Sequence, residues 1–406
     1  MDVVIISNYW HFPKEKSSSR YHTIATLAME QGLSVEVITS RFYHTKKKQR
    51  NEDEVLDGVS YKATLLEEGS YSRNVSPARL SAHSRFAKNV ISYLSNREKP
   101  DVIYLFVPPA GLAKKVVKYA KENDIRVVID VLDLWPEAFA MLMPAPIAKL
   151  LLNPMKKSVE FAYDNADEVV AVSSTYVQRA IRNNPRKNIG HNVFIGTDIE
   201  YFDKTAEQAP MLEGKMRPIT MAYIGMLGHS YDLCGVMDAM KLLIEQGYDM
   251  VELLIMGDGP IKEKFETYAK QYNLPVRFTG RLDYADMVKK LVRCDIGLNV
   301  LVGKAAQSII NKQADYVSAA LPVINVQKNQ EFGELLVSYD AGMMCSPGDT
   351  QALATAIRFL AEDEEARKRM GKNSRRLAED KFDRNKTYQE IIDVIKEQMN
   401  IQYNII

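Results

Sequence analysis

Cysteine, histidine and tryptophan are scarce in this chain. Its 406 residues include three Cys, six His and two Trp. The three cysteines, Cys234, Cys294 and Cys345, cannot all pair, and no C-x-x-C pair or Cys/His cluster has the spacing of a zinc site. No Asp-x-Asp metal motif stands out. The sequence therefore predicts a reducing, cytoplasmic compartment and no bound metal.

Net charge and long apolar runs are also lacking. Lys and Arg number 53 against 52 Asp and Glu, so no global field would steer the chain to nucleic acid, and we expect no such partner. No apolar stretch reaches about 18 residues, which excludes a transmembrane helix. The first residues, Met-Asp-Val-Val-Ile-Ile, have no basic region before them and are typical of a first strand rather than a signal peptide.

Short apolar runs alternate with amphipathic stretches of helical length, which predicts an α/β fold with parallel strands. We predict strands at 3–7, 34–39, 102–106, 126–130, 168–172, 219–223, 252–256, 295–300 and 322–325. Residues 41–57 are polar and basic and predict a long loop. Residues 203–218 lack periodicity and predict a linker. The chain therefore forms two α/β halves, and the expected ligand site is the cleft between their sheets.

Two motifs in the second half are candidates for an anionic ligand. Ile-Met-Gly-Asp-Gly-Pro at 255–260 follows a predicted strand and is either a plain connection or an anion-binding turn. In the segment 307–324, Ser308 is expected to cap a helix whose free amides face a diphosphate. Asp315 is either a solvated helix carboxylate or a group that accepts hydrogen bonds from a ribose diol.

Taken in order, these motifs resemble the family-four, retaining, nucleotide-sugar glycosyltransferases of the GT-B fold. The pieces are Tyr-Ile-Gly-Met-Leu-Gly at 223–228, the turn at 255–260, Phe-Thr-Gly-Arg-Leu at 278–282, Asn-Lys-Gln-Ala-Asp-Tyr at 311–316 with Leu-Pro-Val-Ile at 321–324, Ala-Gly at 341–342 with Pro-Gly-Asp at 347–349, and Ile-Gly-Thr-Asp at 195–198. Asp-Leu-Trp-Pro-Glu at 133–137 is similar to the branch that builds bacterial surface polysaccharides.

The resemblance implies two Rossmann-like domains facing across a cleft. We place an acceptor-binding domain at 1–200, a linker at 201–218, a nucleotide-sugar-binding domain at 219–383, and at 384–406 a C-terminal helix that crosses back to the first domain. No cofactor is implied, because the nucleotide-sugar is a substrate. The donor-binding residues that the resemblance implies are Gly225, Gly228, His229, Gly257, Asp258, Gly259, Arg281, Leu282, Ser308, Ile309, Ile310, Asn311 and Asp315.

The sequence departs from the family pattern in two places. The family's Glu-x7-Glu is here Gln307 and Asp315, and the Arg and Lys that many members place after the first glycine loop are missing. Departure of a nucleoside diphosphate develops negative charge that some cation must stabilise. The candidates for that cation are His229, Lys304 and Lys312.

Acceptor binding is predicted in the first half. Asp133 either caps a short helix or contacts sugar hydroxyls at the cleft, where we assign it a catalytic role, and Asp130 is a second candidate. Ser18, Ser19 and Arg20 precede the first helix and suit a phosphate or a sugar, or Ser19 is a plain cap. Residues 138–157, assisted by 46–50, are either core or a surface against anionic lipid at the inner face of the membrane.

The sequence thus predicts a transferase that moves a hexosyl or acetamidohexosyl group, with retention, from a nucleotide-sugar, expected to be UDP-linked, to a lipid-linked or glycan acceptor of a capsule or exopolysaccharide. No dedicated protein base is required, because the leaving phosphate in such enzymes is thought to take the acceptor proton. The alternative is a catalytically weak sugar-nucleotide-binding protein of the same fold.

Overall fold

The computed structural model describes residues 2–15, 19–74, 76–140, 143–186, 189–210, 217–303 and 309–405. The chain divides into two compact units, Met1–Phe194 with Asn385–Ile406 (unit 1) and Ile195–Arg384 (unit 2). Over the predicted linker 201–218, the structure has the end of a helix, Ile199–Ala206, and residues 211–216 lie outside the described part of the chain.

The core of unit 1 is a parallel sheet that has seven strands over the described residues, in the order β5-β2-β1-β6-β7-β8-β9. Its inner strands are buried almost throughout, as expected for a parallel sheet with helices around it, whereas the two edge strands are mostly half-buried or exposed. A short antiparallel hairpin, β3–β4, is separate from the sheet. The strands are β1 (Asp2–Ser7), β2 (Ser34–Ser40), β3 (Phe42–Tyr43), β4 (Lys48–Gln49), β5 (Lys62–Leu66), β6 (Val102–Val107), β7 (Arg126–Val131), β8 (Glu168–Ala171) and β9 (Gly190–Asn192).

Helices surround this sheet, and several begin at a serine whose hydroxyl accepts a backbone N–H, as Ser76 and Ser173 do. The C-terminal helix packs its Ile391, Ile395 and Met399 into the same core as Val3 and Ile5 of β1, so it is part of unit 1. The helices are α1 (Arg20–Glu30), α2 (Glu52–Leu56), α3 (Pro77–Ser95), α4 (Ala110–Glu122), α5 (Glu137–Ala140), α6 (Ala145–Asn165), α7 (Ser174–Ile181) and, in chain order later, α17 (Gln389–Ile405).

Unit 2 has a second parallel sheet, with six strands over the described residues in the order β12-β11-β10-β13-β14-β15. The strands are β10 (Ile219–Ile224), β11 (Val251–Met256), β12 (Val276–Gly280), β13 (Ile296–Val300), β14 (Val323–Val326) and β15 (Gly342–Cys345). The helices are α8 (Ile199–Ala206), α9 (Leu233–Glu245), α10 (Lys262–Gln271), α11 (Tyr284–Leu291), α12 (Asn311–Ser318), α13 (Glu331–Tyr339), α14 (Thr350–Glu362) and α15 (Glu364–Leu377), with a π-helical turn at Ala378–Phe382. The short helix α16 (Arg384–Thr387) begins at the last residue of unit 2 and continues into unit 1.

The predicted α/β class is confirmed: parallel sheets form two Rossmann-like halves. The loop predicted at residues 41–57 is wrong, because this segment contains β3, β4 and α2. Contacts of Arg50 stabilise this segment. Its guanidinium is buried, donates to both carboxylate oxygens of Glu15 (2.8 and 2.9 Å) and stacks on Tyr43. Among the described helices, none is both long enough and apolar enough to cross a membrane.

Candidate functional site

The sheet of unit 2 has a topological switch point between β10 and β13. From β10 the strand order runs to β11 and β12 on one side, and from β13 to β14 and β15 on the other. In open parallel sheets, ligands bind beyond the carboxyl ends of the strands at such a point. The loop after β10 and the helix α12, which follows β13 in the chain, both belong to this edge.

Glycines allow the loops after β10 and β11 to approach each other closely. A Cβ on Gly257 would lie 1.8 Å from the carbonyl oxygen of Gly225, so no side chain fits there. Gly225 itself has φ of +119°, a conformation that L side chains rarely adopt. Backbone hydrogen bonds from Gly225 N to Met256 O (3.0 Å) and from Leu227 N to Asp258 O (2.9 Å) fix the pair of loops. The exposed backbone at Gly225 is therefore held in place by close packing beneath it.

Lys312, on the first turn of α12, points its ammonium group at the loop after β10. Only 7% of the residue is exposed, and its Nζ has no hydrogen-bond partner among the described residues. The Nζ lies 3.9 Å from the ring centre of Tyr223 and 3.8 Å from that of Tyr231. It also lies 3.4 Å from where a Cβ of Gly225 would be. Burial lowers the pKa of Lys312 well below its usual value, and no carboxylate opposes that shift.

Asp315, one turn further along α12, is half-buried and held by two hydroxyl groups. Tyr284 and Thr197 donate to its Oδ1 at 2.8 and 3.2 Å. Tyr284 stacks on Tyr201, with ring centres 6.1 Å apart. The carboxylate is therefore oriented by groups from α11 and from the segment before α8, and it is not a solvated helix carboxylate.

The helix α12 begins at Asn311, and its N-cap is Ile310, whose N–H donates to the side chain of Gln313 (3.0 Å). Both Ser308 and the candidate cation Lys304 lie outside the described residues. Ile309 is buried, Ile310 is half-buried and Asn311 is exposed.

The remaining predicted donor residues lie in the loops after β10, β11 and β12. His229 is exposed and Gly228 is buried in the first loop. In the second, Asp258 is exposed and its Oδ1 accepts a hydrogen bond from the N–H of Gly259 (2.9 Å). Arg281 is exposed and Leu282 is half-buried directly after β12. Over the described part of the chain, His, Cys, Asp and Glu side chains form no group of three that could hold a metal ion.

In unit 1, two predicted acceptor residues bind each other instead. Arg20 donates from Nε to Asp130 Oδ2 (2.8 Å) and from NH2 to Asp130 Oδ1 (3.1 Å). Its NH1 donates to the carbonyl oxygens of Val193 and Phe194, and Tyr104 donates to Asp130 at 2.7 Å. Arg20 is 3% exposed and Asp130 is fully buried. Contrary to the prediction, these residues form an internal ion pair of unit 1 rather than an acceptor surface, because burial and mutual pairing occupy both charged groups.

Ser19 and Asp133 occupy different kinds of position. Ser19 is the N-cap of α1 and accepts from the N–H of His22, which matches the alternative of a plain cap, and Ser18 lies outside the described residues. Asp133 is half-buried after β7 and accepts a hydrogen bond from Nε1 of Trp135 (2.9 Å). Burial raises its pKa. The next helix, α5, begins only at Glu137, and the indole N–H of Trp135 holds the Asp133 carboxylate.

Sequence reasoning missed a cluster of polar side chains in unit 1, which we call the Glu68 cluster: Asn8, Tyr9, Glu68, Arg79 and His83. Asn8 and Tyr9 directly follow β1, Glu68 lies two residues after β5, and Arg79 and His83 are four residues apart on α3. The side chain of Asn8 donates to Glu68 (3.1 Å), Arg79 donates to the Tyr9 hydroxyl (2.7 Å), and that hydroxyl contacts His83 (3.0 Å). The i, i+4 spacing on α3 was the available signal.

Comparison with known proteins covers both units. Residues 206–377 match the model of the family described as "Glycosyl transferases group 1". The capsular polysaccharide biosynthesis glycosyltransferase CapM of Staphylococcus aureus is 21% identical over 323 residues, which is 77% of this chain and 78% of CapM.

Solved structures resemble the whole chain. Anabaena Alr3699/HepE in complex with UDP has a TM-score of 0.71 at 16% identity, covering 98% of this chain and 100% of that one. Its complex with UDP-glucose gives 0.68 at 15% identity, with 98% and 100% covered. Sucrose-phosphate synthase from Thermosynechococcus elongatus gives 0.69 at 14% identity, with 100% of both chains covered. Residues 206–377 therefore resemble the group 1 glycosyl transferases, and the chain as a whole has the GT-B fold of these solved structures.

Proposed function

We propose that this protein is a glycosyltransferase that transfers a sugar from a nucleotide-sugar, with UDP as the nucleotide. The observation that carries the proposal is the buried side-chain nitrogen of Lys312 against the glycine loop at Gly225, where it has no hydrogen-bond partner among the residues that the structure describes. It lies inside the segment that matches the glycosyl transferases group 1 model. The relative bound to UDP and UDP-glucose supports the choice of nucleotide.

An unpaired buried cation implies an anionic ligand. Removing a charge from water costs several kcal/mol in real proteins unless an opposite charge compensates. The two tyrosine rings beside Lys312 compensate only in part. A diphosphate over the exposed backbone of Gly225 would supply the missing negative charge. Lys312 would then stabilise the charge that develops as the nucleoside diphosphate leaves, in place of the absent Arg and Lys.

The nucleoside would lie beside this diphosphate. We assign Asp315 to the ribose, since it lies one turn beyond Lys312 on α12 and Tyr284 and Thr197 fix the orientation of its carboxylate. Backbone groups at Gly257, Arg281 and Leu282 would frame the nucleotide. In unit 1, the carboxylate of Asp133, held by Trp135, is proposed to bind an acceptor hydroxyl. The leaving phosphate would take the acceptor proton, as the resemblance implies.

A lipid-linked acceptor in surface polysaccharide synthesis is the proposed destination of the sugar. The likeness to CapM supports the polysaccharide role. On α6, Ile147, Leu150 and Leu151 lie on one helical face and are 50%, 77% and 64% exposed. Lys157 is exposed beside this face, and Lys149 and Lys156 are exposed elsewhere on α6. An apolar stripe on a helix with exposed lysines fits an anionic lipid surface.

Flotation with vesicles tests the membrane contact. We expect the protein to float with vesicles of phosphatidylglycerol and to do so much less with vesicles of phosphatidylcholine alone. Leu150→Glu with Leu151→Glu should abolish flotation without loss of stability, because both side chains are exposed. Equal flotation of the double variant and the parent protein would remove α6 from the proposal.

A sugar-nucleotide-binding protein without transferase activity is the second candidate. It is favoured by Gln307 at the position of the family's first Glu and by the missing Arg/Lys pair after Gly228. The two candidates differ in one product, since only a transferase releases free nucleoside diphosphate.

Release of UDP is therefore the deciding measurement. A panel of nucleotide-sugars is first ranked by thermal shift, because a bound ligand raises apparent stability. UDP release is then followed with a bacterial membrane extract as acceptor source. We expect release by the parent protein, about a hundredfold less with Lys312→Met, and no change with Lys270→Met, an exposed lysine of α10. Binding without release would favour the second candidate, and absence of any nucleotide-sugar binding would contradict both.

A further inference from the structure

The Glu68 cluster lies in unit 1 where β1 and β5 end, packed against α3. Its core is almost closed to solvent: Asn8 is 1% exposed, Glu68 4%, His83 7% and Arg79 8%. Tyr9, together with His44 and Lys47 of the neighbouring hairpin, is half-buried and forms the side nearer to solvent. Burial raises the pKa of Glu68 to about 7 and lowers that of His83 to about 3. Buried polar groups are thus concentrated at the ends of strands, which is where α/β sheets bind ligands.

Arg79 determines the direction of the hydrogen bonds that join it to Tyr9 and Tyr9 to His83. Arg79 can only donate, so the Tyr9 oxygen is the acceptor of their bond at 2.7 Å. The Tyr9 O–H proton is then available for Nε2 of His83 at 3.0 Å, which makes Nε2 an acceptor. Neutral His83 therefore has no proton on the nitrogen that lies 3.9 Å from Glu68 Oε1, and it cannot satisfy that oxygen.

Three buried polar atoms of the cluster are left without a partner among the described residues. They are Asn8 Oδ1, Glu68 Oε1 and Arg79 Nε. The other side of each group is in use: Asn8 Nδ2 donates to Glu68 Oε2, and the terminal nitrogens of Arg79 donate to Tyr9 and to the carbonyl of Asn74. Buried polar groups in proteins are normally hydrogen-bonded, so three unsatisfied atoms in one cluster indicate that a partner is missing.

The unpaired atoms define the chemistry of a ligand that would satisfy them. It must donate two hydrogen bonds, to Asn8 and Glu68, and accept one, from Arg79. A fully ionised phosphate donates none, and the Glu68 carboxylate repels it. Two neighbouring hydroxyl groups fit, because each hydroxyl both donates and accepts. Aromatic rings line the same place: the Arg79 guanidinium lies 5.0 Å from the ring centre of Trp135 and 5.7 Å from that of Tyr9.

We propose that Asn8, Glu68 and Arg79 form a subsite that binds two adjacent hydroxyl groups of an uncharged sugar residue of the acceptor. The term acceptor rests on the proposed function, whereas the sugar binding itself does not. Glu68 and Asn8 receive the two hydroxyl protons, and Arg79 Nε donates to one hydroxyl oxygen. Tyr9 and His83 position Arg79 and keep Glu68 Oε1 free for the sugar.

Saturation-transfer NMR on the full chain without nucleotide tests the subsite. The probes are the methyl glycosides of glucose, galactose, mannose and N-acetylglucosamine, and phosphorus NMR follows inorganic phosphate. We expect at least one glycoside to bind and phosphate not to bind. Glu68→Gln keeps the contact with Asn8 but places an N–H at the unpaired position, so affinity should fall about tenfold. Glu67→Gln, an exposed neighbour, is the matched control and should bind like the parent protein.

A second measurement leaves the cluster intact in case Glu68→Gln fails to fold. The chain has two tryptophans, Trp10 and Trp135, and Trp10 is fully buried in the core. In Trp10→Phe, glycoside binding should quench or shift the fluorescence of Trp135 over the same concentration range as the NMR signal. A bound glycoside that leaves Trp135 unchanged, equal binding by Glu68→Gln and Glu67→Gln, binding of phosphate instead, or no glycoside binding would each overturn the proposal.

A crossed pair of variants separates this proposal from the donor proposal. Asp315→Asn should weaken UDP binding and leave glycoside binding unchanged, and Glu68→Gln should do the reverse. Loss of the UDP effect alone would refute the donor assignment in unit 2. Loss of the glycoside effect alone would refute the subsite.

Discussion

Each unit contains a cation buried near the carboxyl edge of its sheet, and the two cations differ in how far protein groups compensate their charge. Arg20 in unit 1 is 3% exposed, and a bidentate carboxylate and two carbonyl oxygens use its donors. Lys312 in unit 2 is 7% exposed, and over the described part of the chain its ammonium group contacts aromatic rings and a glycine but no hydrogen-bond acceptor. Asp130 neutralises the charge of Arg20 within the fold, whereas Lys312 has no such counter-charge among the described residues. We infer that buried charge indicates a ligand site only where the protein leaves it unpaired.

The pKa directions follow the same contrast. Burial alone would lower the pKa of Arg20, but Asp130 overrides burial and raises it. Burial lowers the pKa of Lys312 and nothing opposes it. An anion that binds at Lys312 should therefore compensate its charge in the way that Asp130 compensates the charge of Arg20.

The largest effect is expected from breaking the complete pair. Asp130→Asn leaves Arg20 buried without its counter-charge, and unit 1 should lose about 3–5 kcal/mol of unfolding free energy. Urea unfolding followed by tryptophan fluorescence reports this, because both tryptophans lie in unit 1. The control, Glu122→Gln, breaks an exposed pair with Lys118 in the same unit and should cost almost nothing. A loss for Asp130→Asn as small as the control's would make the pair unimportant.

A smaller effect is expected from the glycine contact below Lys312. Gly257→Ala places a methyl group 1.8 Å from the Gly225 oxygen, so the two loops must separate, at a cost of about 1–3 kcal/mol. UDP affinity should fall at the same time. Gly303→Ala is the control, since its Cβ would meet only Pro347 Cβ at an ordinary 3.5 Å. Unit 2 stability is measured by hydrogen exchange of β10 and β11 amides, and unchanged protection in Gly257→Ala would contradict the close packing.

His191 is an intermediate case, a partly exposed cation paired with Glu168 and Glu390. Hydrogen bonds to these carboxylates raise its pKa to about 9. Because its unfolded pKa is about 6.5, the stabilising contribution is complete below that pH and is lost as the pH rises through about 9. We expect about 1 kcal/mol, discounted for exposure. The urea midpoint of unit 1 should fall between pH about 6 and about 9.5, and less so in His191→Asn. If the urea midpoint depends equally on pH in the parent protein and in His191→Asn, His191 does not contribute to this pH dependence.

The smallest stability change is expected at the unpaired cation. Lys312→Met keeps the side-chain length and removes a charge that the fold does not compensate, so the free energy of unfolding should stay equal or rise slightly. Thermal unfolding without nucleotide checks this. A loss as large as that of Asp130→Asn would mean that the Lys312 ammonium is structurally paired after all.

The sequence predicts the local features of the fold and of the candidate site. Alternating apolar runs predicted most of the buried strands, and the glycines in 255–260 indicated a candidate anion-binding turn, whereas its close approach to Gly225 is seen only in the structure. Pairing across the fold was beyond local patterns. Arg20 and Asp130 were separate acceptor candidates, and only the structure brings them together over a separation of 110 residues. The Glu68 cluster is likewise assembled from residues 8 to 83, and β5 within it was not predicted. Lys312 was a candidate cation, but its two tyrosine neighbours follow from packing.

Calorimetric titration of UDP into the parent protein and Lys312→Met, from about pH 6 to about pH 9, tests the central claim most directly. The ammonium form binds the diphosphate, so raising the pH should weaken UDP binding to the parent protein as the free lysine loses its proton. Lys312→Met should bind UDP about tenfold more weakly at the lower pH and should lack this pH dependence. Equal affinities and equal pH profiles in the two proteins would contradict the assignment of Lys312 to the donor diphosphate.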